Sequence, residues 1–168
     1  MSASGRSPRK RQVAVIGGGG IEEGSEAWVL AEEVGRGLAE AGVTLVCGGG
    51  GGVMEAASRA AAEAGGEVIG IVPGSSPDDA NPYCSHVVAT GIGHARNLAV
   101  VSSGEAVIAI GGEWGTLSEI GFARVIGHDV VALRSWELDG RERMTGAPGV
   151  IATDTAAEAV AAALAALT

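Results

Sequence analysis

The chain has 168 residues, of which 46% are hydrophobic and 18% are charged. This length fits one ordinary domain and is too short for two, and the composition supplies a core, which excludes global disorder. The net charge is −9, although four of the 11 basic residues fall within the first 11 positions. We therefore predict a disordered basic tail at residues 1–11 and one acidic domain at residues 12–168, which does not bind nucleic acid.

The sequence also restricts the cellular location and the enzyme class. No apolar run approaches the roughly 18 residues of a membrane-spanning helix, and the polar N-terminus does not resemble a signal peptide. Two cysteines are too few for a disulfide framework and suit a reducing compartment, so we predict a cytoplasmic protein without a membrane partner. The single lysine, Lys10, lies in the predicted tail. Pyridoxal phosphate enzymes and P-loop proteins, which need a positioned lysine, are therefore excluded.

Short apolar runs alternate with helical patterns along the chain, which is typical of a parallel α/β sheet. The predicted strands are residues 13–17, 43–47, 67–73, 86–90, 106–110, 129–133 and 150–153. Predicted helices cover residues 27–41, a stretch ending near 64, residues 94–102, a stretch from 116 to about 127, and the chain after 153. Residues 134–149 form a predicted irregular polar excursion. The predicted fold is a single doubly wound, mainly parallel, Rossmann-like sheet of about seven strands.

Glycines follow four of the predicted strands. They are Gly17–Gly20, Gly48–Gly52, the pair Gly91 and Gly93, and the set Gly111, Gly112 and Gly115. Ligands bind beyond the carboxyl ends of such strands, and glycine lets backbone N–H groups at a helix N-terminus approach an anion. We expect a phosphate-bearing ligand at this edge, with glycines that only permit tight turns as the alternative. The candidate contacts among them are Gly17, Gly18, Gly49, Gly50, Gly111, Gly112 and Gly115.

The dinucleotide-binding fingerprint G-x-G-x-x-G is absent from both long glycine runs. In the first run the final glycine would fall at Glu22 or Glu23, and in the second it would fall at Val53, Met54 or Glu55. A nicotinamide-dependent enzyme needs that third glycine for close packing of its first helix. The sequence therefore argues against a dinucleotide enzyme.

Three motifs resemble the Lonely-guy (LOG) family, once labelled lysine decarboxylases. CGGGGGVMEAASRAAAEAGGEVIGIVPG (47–74) is similar to its second glycine loop, GHARN (93–97) to its arginine motif, and GGEWGTLSE (111–119) to its P-G-G-x-G-T-x-x-E motif. Their order and spacing hold over about residues 12–135. Within that group, this short chain, with its Arg96-Asn97 pair and its GTLSE segment (115–119), is similar to the branch that contains the molybdenum-cofactor carrier proteins.

The resemblance implies a function. LOG enzymes split a cytokinin riboside 5′-monophosphate into free base and ribose 5-phosphate without a cofactor. By motif, Arg96 and Glu119 match the catalytic pair, and Gly112, Gly115 and Thr116 match the phosphate loop. The implied protein is a nucleoside 5′-monophosphate phosphoribohydrolase and a homodimer or higher homo-oligomer. The alternatives are a non-enzymatic carrier of a phosphorylated pterin, such as the molybdenum cofactor, and a nucleotide sensor.

The resemblance has two departures, both at the expected anion site. The Pro-Gly-Gly of the LOG motif is Gly111-Gly112-Glu113 here, which places a carboxylate beside the expected phosphate. The lysine that follows the family's arginine is Asn97 in this chain.

The chemistry of the candidate residues supports the same expectation. Cleavage of an N-glycosidic bond develops oxocarbenium charge on the ribose, and the Glu119 carboxylate could stabilise that charge while it orients water. Arg96 would neutralise the phosphate or polarise the base. The alternative for Glu119 is a capping box with Thr116 at the start of a helix.

Other side chains keep open alternatives. Trp114 either stacks on a base or covers its loop, and Met54 either lines the site or fills the core. Cys84 and His86 have C-x-H spacing but no second cluster, so no metal site is predicted. Cys47 is predicted to be a buried strand residue.

Overall fold

The computed structural model describes residues 9–136 and 150–167. Positions 1–8 of the predicted tail and positions 137–149 of the predicted excursion lie outside the described residues. Three tail residues that are described form ion pairs. Arg9 and Arg11 contact Glu105, and Lys10 contacts Glu67, with closest N···O distances between 2.6 and 3.2 Å.

Seven parallel strands form one sheet in the described part of the chain. They are β1 (Gln12–Gly17), β2 (Thr44–Cys47), β3 (Val68–Val72), β4 (His86–Ala89), β5 (Ala106–Ile110), β6 (Asp129–Leu133) and β7 (Ile151–Thr153). Each lies within one residue of its predicted ends. Their order is β4-β3-β2-β1-β5-β6-β7, which confirms the predicted doubly wound, Rossmann-like sheet.

Five α-helices accompany the strands in the described residues. They are α1 (Glu26–Glu40), α2 (Val53–Glu63), α3 (Arg96–Ser103), α4 (Trp114–Val125) and α5 (Ala156–Ala166), with short 3₁₀ turns at Pro77–Asp79 and Gly93–Ala95. Ser25 caps α1, and Thr155 with Glu158 forms a capping box on α5. None of the described helices combines the length and apolar character that crossing a membrane requires.

The helices cover both faces of the sheet. Apolar residues of α1, α2 and α5 pack with one face, and those of α3 and α4 pack with the other. The contact between α1 and α2 is close, because a Cβ added at Gly35 would overlap the backbone carbonyl of Ala57. This packing fixes α1 and α2 on the face opposite α4.

The sheet has its topological switch point between β1 and β5. From β1 the chain builds outward through β2, β3 and β4, and then returns to place β5 on the other side of β1. The connections after β1 and β5 therefore diverge toward opposite faces and leave a crevice at the carboxyl ends of the two strands. Such crevices are where open α/β sheets bind ligands.

Candidate functional site

A cleft of about 220 Å³ lies at this switch point. The cleft is lined by four residues of the predicted phosphate-binding loops, Gly17, Gly18, Gly115 and Thr116. The predicted residues Arg96, Glu119 and Met54 line it as well. The fold thus brings together seven of the predicted site residues, although they are spread over about 100 positions of sequence.

Arg96 is the first residue of α3, and its guanidinium lies against the backbone of Gly48. A Cβ added at Gly48 would overlap the guanidinium atoms, so any larger residue there would displace the Arg96 side chain from this position. The Arg96 Nε atom is buried and has no hydrogen-bond partner among the residues that the structure describes. Burial lowers the pKa of Arg96, while the negative charges of Glu119 and Cys47 oppose that effect. A buried guanidinium N–H without an acceptor is costly unless a ligand supplies one.

Glu119 is a buried carboxyl group on α4, with 7% of its surface exposed. Burial raises its pKa to about 7, and the positive charge of Arg96 acts in the opposite direction. The ion pairs among the described residues do not include one between Arg96 and Glu119, so the two groups are not within 4 Å of each other. Both therefore retain capacity to contact a molecule in the cleft.

The capping-box alternative for Glu119 is wrong. Helix α4 begins at Trp114, with the extended Glu113 as its N-cap, two residues before the predicted start at Thr116. Thr116 is consequently inside the first turn, and Glu119 lies almost one turn further along the helix. At that depth the Glu119 side chain cannot return to the helix terminus, and it lines the cleft instead.

The first turn of α4 offers backbone N–H donors to the cleft. Gly115 and Thr116 belong to this turn and line the cleft, and the N–H groups at the start of a helix have no acceptor within the helix. Gly112 makes the turn feasible. Its φ is +115°, and a Cβ there would lie 2.5 Å from the Thr116 side chain. This geometry is suited to an anion at the N-terminus of α4.

The structure does not bring Gly49, Gly50, Gly111 and Gly112 to the cleft lining. The carbonyl groups of Gly49 and Gly50 accept hydrogen bonds from the backbone and side-chain nitrogens of Asn81, at 2.7 and 3.0 Å. The Gly49 N–H donates to the Cys47 Sγ at 3.4 Å. This part of the second glycine loop is occupied by contacts within the protein, and its role as a ligand contact stays a prediction.

Trp114 lies at the mouth of the cleft rather than in its lining. It is 77% exposed, and its two neighbours in sequence, Glu113 and Gly115, both line the cleft. The Trp114 ring packs against Trp136, with ring centroids 5.4 Å apart. The Trp136 Nε1–H in turn donates to the carbonyl oxygen of Glu113 at 3.3 Å. Two of the three tryptophans in the chain therefore meet beside the cleft.

Five further residues that line the cleft are Gly19, Gly48, His94, Asn97 and Glu113. The first three were not among the predicted site residues, whereas Asn97 and Glu113 are the two departures from the family motifs at the expected anion site. His94 and Asn97 flank Arg96 within the motif GHARN (93–97). Because the three residues fall in one 3₁₀ turn and the start of α3, their closeness in sequence was a signal that they line the same cleft. Gly48 is the first residue after β2, which is the position closest to the edge of the sheet.

The fold and the cleft define the class as a Rossmann-like protein with a ligand crevice at its switch point. The sequence matches the SLOG cluster4 family over residues 10–162, and the chain belongs to that family. The predicted membership of the superfamily of LOG-like and molybdenum-cofactor carrier-like proteins is thereby confirmed.

Two curated proteins are similar to this chain over two thirds or more of its length. A protein of Archaeoglobus fulgidus, described as uncharacterized, is 42% identical over 73% of this chain and 80% of its own length. A probable cytokinin riboside 5′-monophosphate phosphoribohydrolase of rice, Oryza sativa subsp. japonica, is 36% identical over 67% of this chain. The matched region is 47% of the rice protein, about half its length.

Among solved structures, the molybdenum cofactor binding protein of Rippkaea orientalis is similar to this chain with a TM-score of 0.84. The two are 30% identical, and the match covers 96% of this chain and all of that protein.

Proposed function

We propose that the cleft binds a nucleoside 5′-monophosphate and that the protein hydrolyses it to free base and ribose 5-phosphate. The observation that carries the proposal is the combination, in one cleft, of the buried Arg96 Nε and the buried Glu119 carboxyl group. The Nε atom has no acceptor within residues 9–136 and 150–167, and the carboxyl group has its pKa raised to about 7. A ligand with anionic oxygens and a developing positive charge would satisfy both.

The phosphate is proposed to bind at the N-terminus of α4. The backbone N–H groups of Gly115 and Thr116 and the positive end of the helix dipole favour an anion there. Arg96, the first residue of α3, also lines the cleft and supplies the cationic donor. The nearby Glu113 carboxylate favours a ligand that presents hydroxyl donors, such as a ribose, beside its phosphate.

Hydrolysis adds water to C1′ of the ribose as the bond from C1′ to the base nitrogen breaks. The base leaves with that bond's electron pair and takes up a proton, and the ribose 5-phosphate keeps the hydroxyl from water. The ionised Glu119 carboxylate stabilises the cationic ribose and orients the water. With a pKa near 7, about half of the Glu119 groups are ionised at neutral pH. The rate is therefore expected to rise with pH through that value.

Trp114 and Met54 are proposed to contact the base. Met54 lines the cleft, and the exposed ring of Trp114 lies at its mouth, braced by Trp136. Exposure of so large an apolar ring is unfavourable unless it packs against a partner part of the time, and a planar base is suited to stacking there.

A non-enzymatic carrier of a phosphorylated pterin is the second candidate function. The observation that favours it is the match with the Rippkaea protein over its whole length, while the match with the rice protein covers about half of that chain. Asn97 and Glu113, which depart from the LOG motifs, also line the cleft. In a carrier the same cleft would hold the ligand without bond cleavage.

Other parts of the predicted function remain predictions. They are the cytoplasmic location, the absence of cofactor, metal and nucleic-acid partners, and the homo-oligomer. Phe122 and Val125 on α4 expose apolar surface that a contact between copies would cover.

The test is incubation of the purified protein with AMP and with N6-isopentenyl-AMP, followed by mass spectrometry for free base and ribose 5-phosphate. We expect release by the wild type and by Glu33→Gln, which removes an exposed carboxylate of α1. We expect no release by Glu119→Gln. A folded wild type that binds either nucleotide and releases nothing would contradict the hydrolase and favour the carrier.

A further inference from the structure

Two thiols lie side by side behind the cleft. Cys47 ends β2 and is fully buried, and Cys84 lies half-buried in the loop before β4. Gly70 of β3 is paired with Cys47 in the sheet, and a Cβ at Gly70 would overlap the Cys84 side chain, with Sγ at 2.6 Å. The missing side chain of Gly70 thus leaves the space in which the Cys84 thiol lies beside Cys47.

Asn81 holds the Cys84 loop against the second glycine loop. Its backbone N–H and side-chain amide donate to the carbonyls of Gly49 and Gly50, and its Oδ1 accepts from the Cys84 Sγ at 3.5 Å. The contact between the thiols is therefore built into a docked pair of loops.

The surroundings of Cys47 favour its thiolate. The adjacent Cys84 thiol, the Ser58 hydroxyl and the Gly49 N–H lower its pKa to about 7 against the opposing effect of burial, and the charge of Arg96 acts in the same direction. The next residue, Gly48, lines the cleft. Oxidation of the buried Cys47 requires hydrogen peroxide, which is little larger than water, to enter beside Gly48.

We propose that Cys47 and Cys84 form an intramolecular disulfide on oxidation by hydrogen peroxide, and that the disulfide weakens ligand binding in the cleft. The Cys47 thiolate attacks one peroxide oxygen, giving a sulfenic acid and hydroxide. The Cys84 thiol then attacks the Cys47 sulfur, forms the S–S bond and releases water. In sum, the two thiols lose two electrons and two protons, and one peroxide becomes two waters.

The effect on the cleft follows from the short S–S bond. Bonding brings the two sulfurs to about 2 Å, which draws Cys47 away from the Gly49 N–H and from Ser58. Gly48, between Cys47 and Gly49, is the residue on which the Arg96 guanidinium lies. A shift there moves Arg96 relative to Glu119. This second part of the proposal rests on the proposed function, whereas disulfide formation does not.

The experiment treats reduced protein with hydrogen peroxide and counts free thiols by alkylation and intact mass under denaturing conditions. We expect the two thiols to fall to none in a monomeric chain, with recovery by dithiothreitol. Cys84→Ser and Cys47→Ser cannot form the bond and control for other oxidation. Two free thiols after treatment, or a disulfide between two chains, would overturn the proposal.

Two readouts then test the effect on the site. We expect AMP affinity to fall about tenfold on oxidation of the wild type and to stay unchanged in treated Cys84→Ser. Hydrogen exchange at residues 48–52 is expected to quicken only in the oxidised wild type, and it needs no ligand. If the disulfide forms and hydrogen exchange at residues 48–52 does not change, the proposed effect of the disulfide on the cleft is overturned. Reduced protein that fails to bind AMP, but shows the change in exchange, would count against the proposed function alone.

Discussion

The burial of Glu119 predicts a specific dependence of stability on pH. Its pKa rises from the ordinary glutamate value of 4.5 to about 7 in the folded chain. Between these values the folded chain holds a proton that the unfolded chain has lost, so the free energy of unfolding falls as pH rises. At about 1.4 kcal/mol per pKa unit, the whole effect is about 3 kcal/mol, complete above about pH 8. Glu119→Gln cannot ionise and removes it.

The assay is urea denaturation of the wild type and Glu119→Gln at several pH values. We expect the wild type to lose about 2.5 kcal/mol relative to the variant between about pH 5 and about pH 8. Glu33→Gln, which makes the same change at an exposed site on α1, should follow the wild type. Parallel curves for the wild type and Glu119→Gln would refute the reasoning, because they would mean that the carboxyl group is not held in a desolvated site.

Three further predictions test the phosphate end of the cleft, the base contact and the helix packing. Gly115→Leu should fold normally, since a Cβ there meets nothing within 4 Å, yet calorimetry should show AMP affinity reduced more than about tenfold because the side chain fills the cleft. Binding as tight as in the wild type would contradict that reasoning. Trp114→Leu should weaken the binding of AMP by about tenfold, because base stacking contributes about 1–3 kcal/mol, and should leave the affinity for ribose 5-phosphate unchanged. An equal loss of affinity for both ligands would exclude stacking. Gly35→Ala should destabilise the protein by about 1–3 kcal/mol in urea, because its Cβ overlaps the Ala57 carbonyl. Gly121→Ala, in an open helical position, should instead stabilise it by about 0.5–1 kcal/mol, and the same sign for both would refute the packing argument.

The strands could be predicted from sequence because their signals are local. Each is an apolar run that stops at glycine, proline or a polar residue. That local pattern is sufficient to predict a strand of a parallel sheet. Val13–Ile16, for example, is fully buried and is followed directly by the first glycine run. The alternation of strands and helices restricts the topology to few choices, but the strand order, and with it the switch point between β1 and β5, came from the structure.

The site was predicted less completely because its contacts join distant segments. The start of α4 was misplaced, since Thr116 and Glu119 form a plausible cap in sequence while Glu113 caps the helix in the fold. Gly49 and Gly50 are equivalent to Gly48 in sequence, but Asn81, 31 residues after Gly50, occupies their carbonyls. No local pattern contains that information.

The central claim is that Arg96 binds a phosphorylated ligand in the switch-point cleft. The most direct measurement is the calorimetric affinity for AMP of the wild type, Arg96→Gln and Arg36→Gln, the last being an exposed arginine of α1. We predict that Arg96→Gln loses at least about tenfold in affinity, from a charged hydrogen bond of about 1.5–3 kcal/mol, while Arg36→Gln binds as the wild type does. Equal affinity of all three proteins would mean that Arg96 does not bind the phosphorylated ligand.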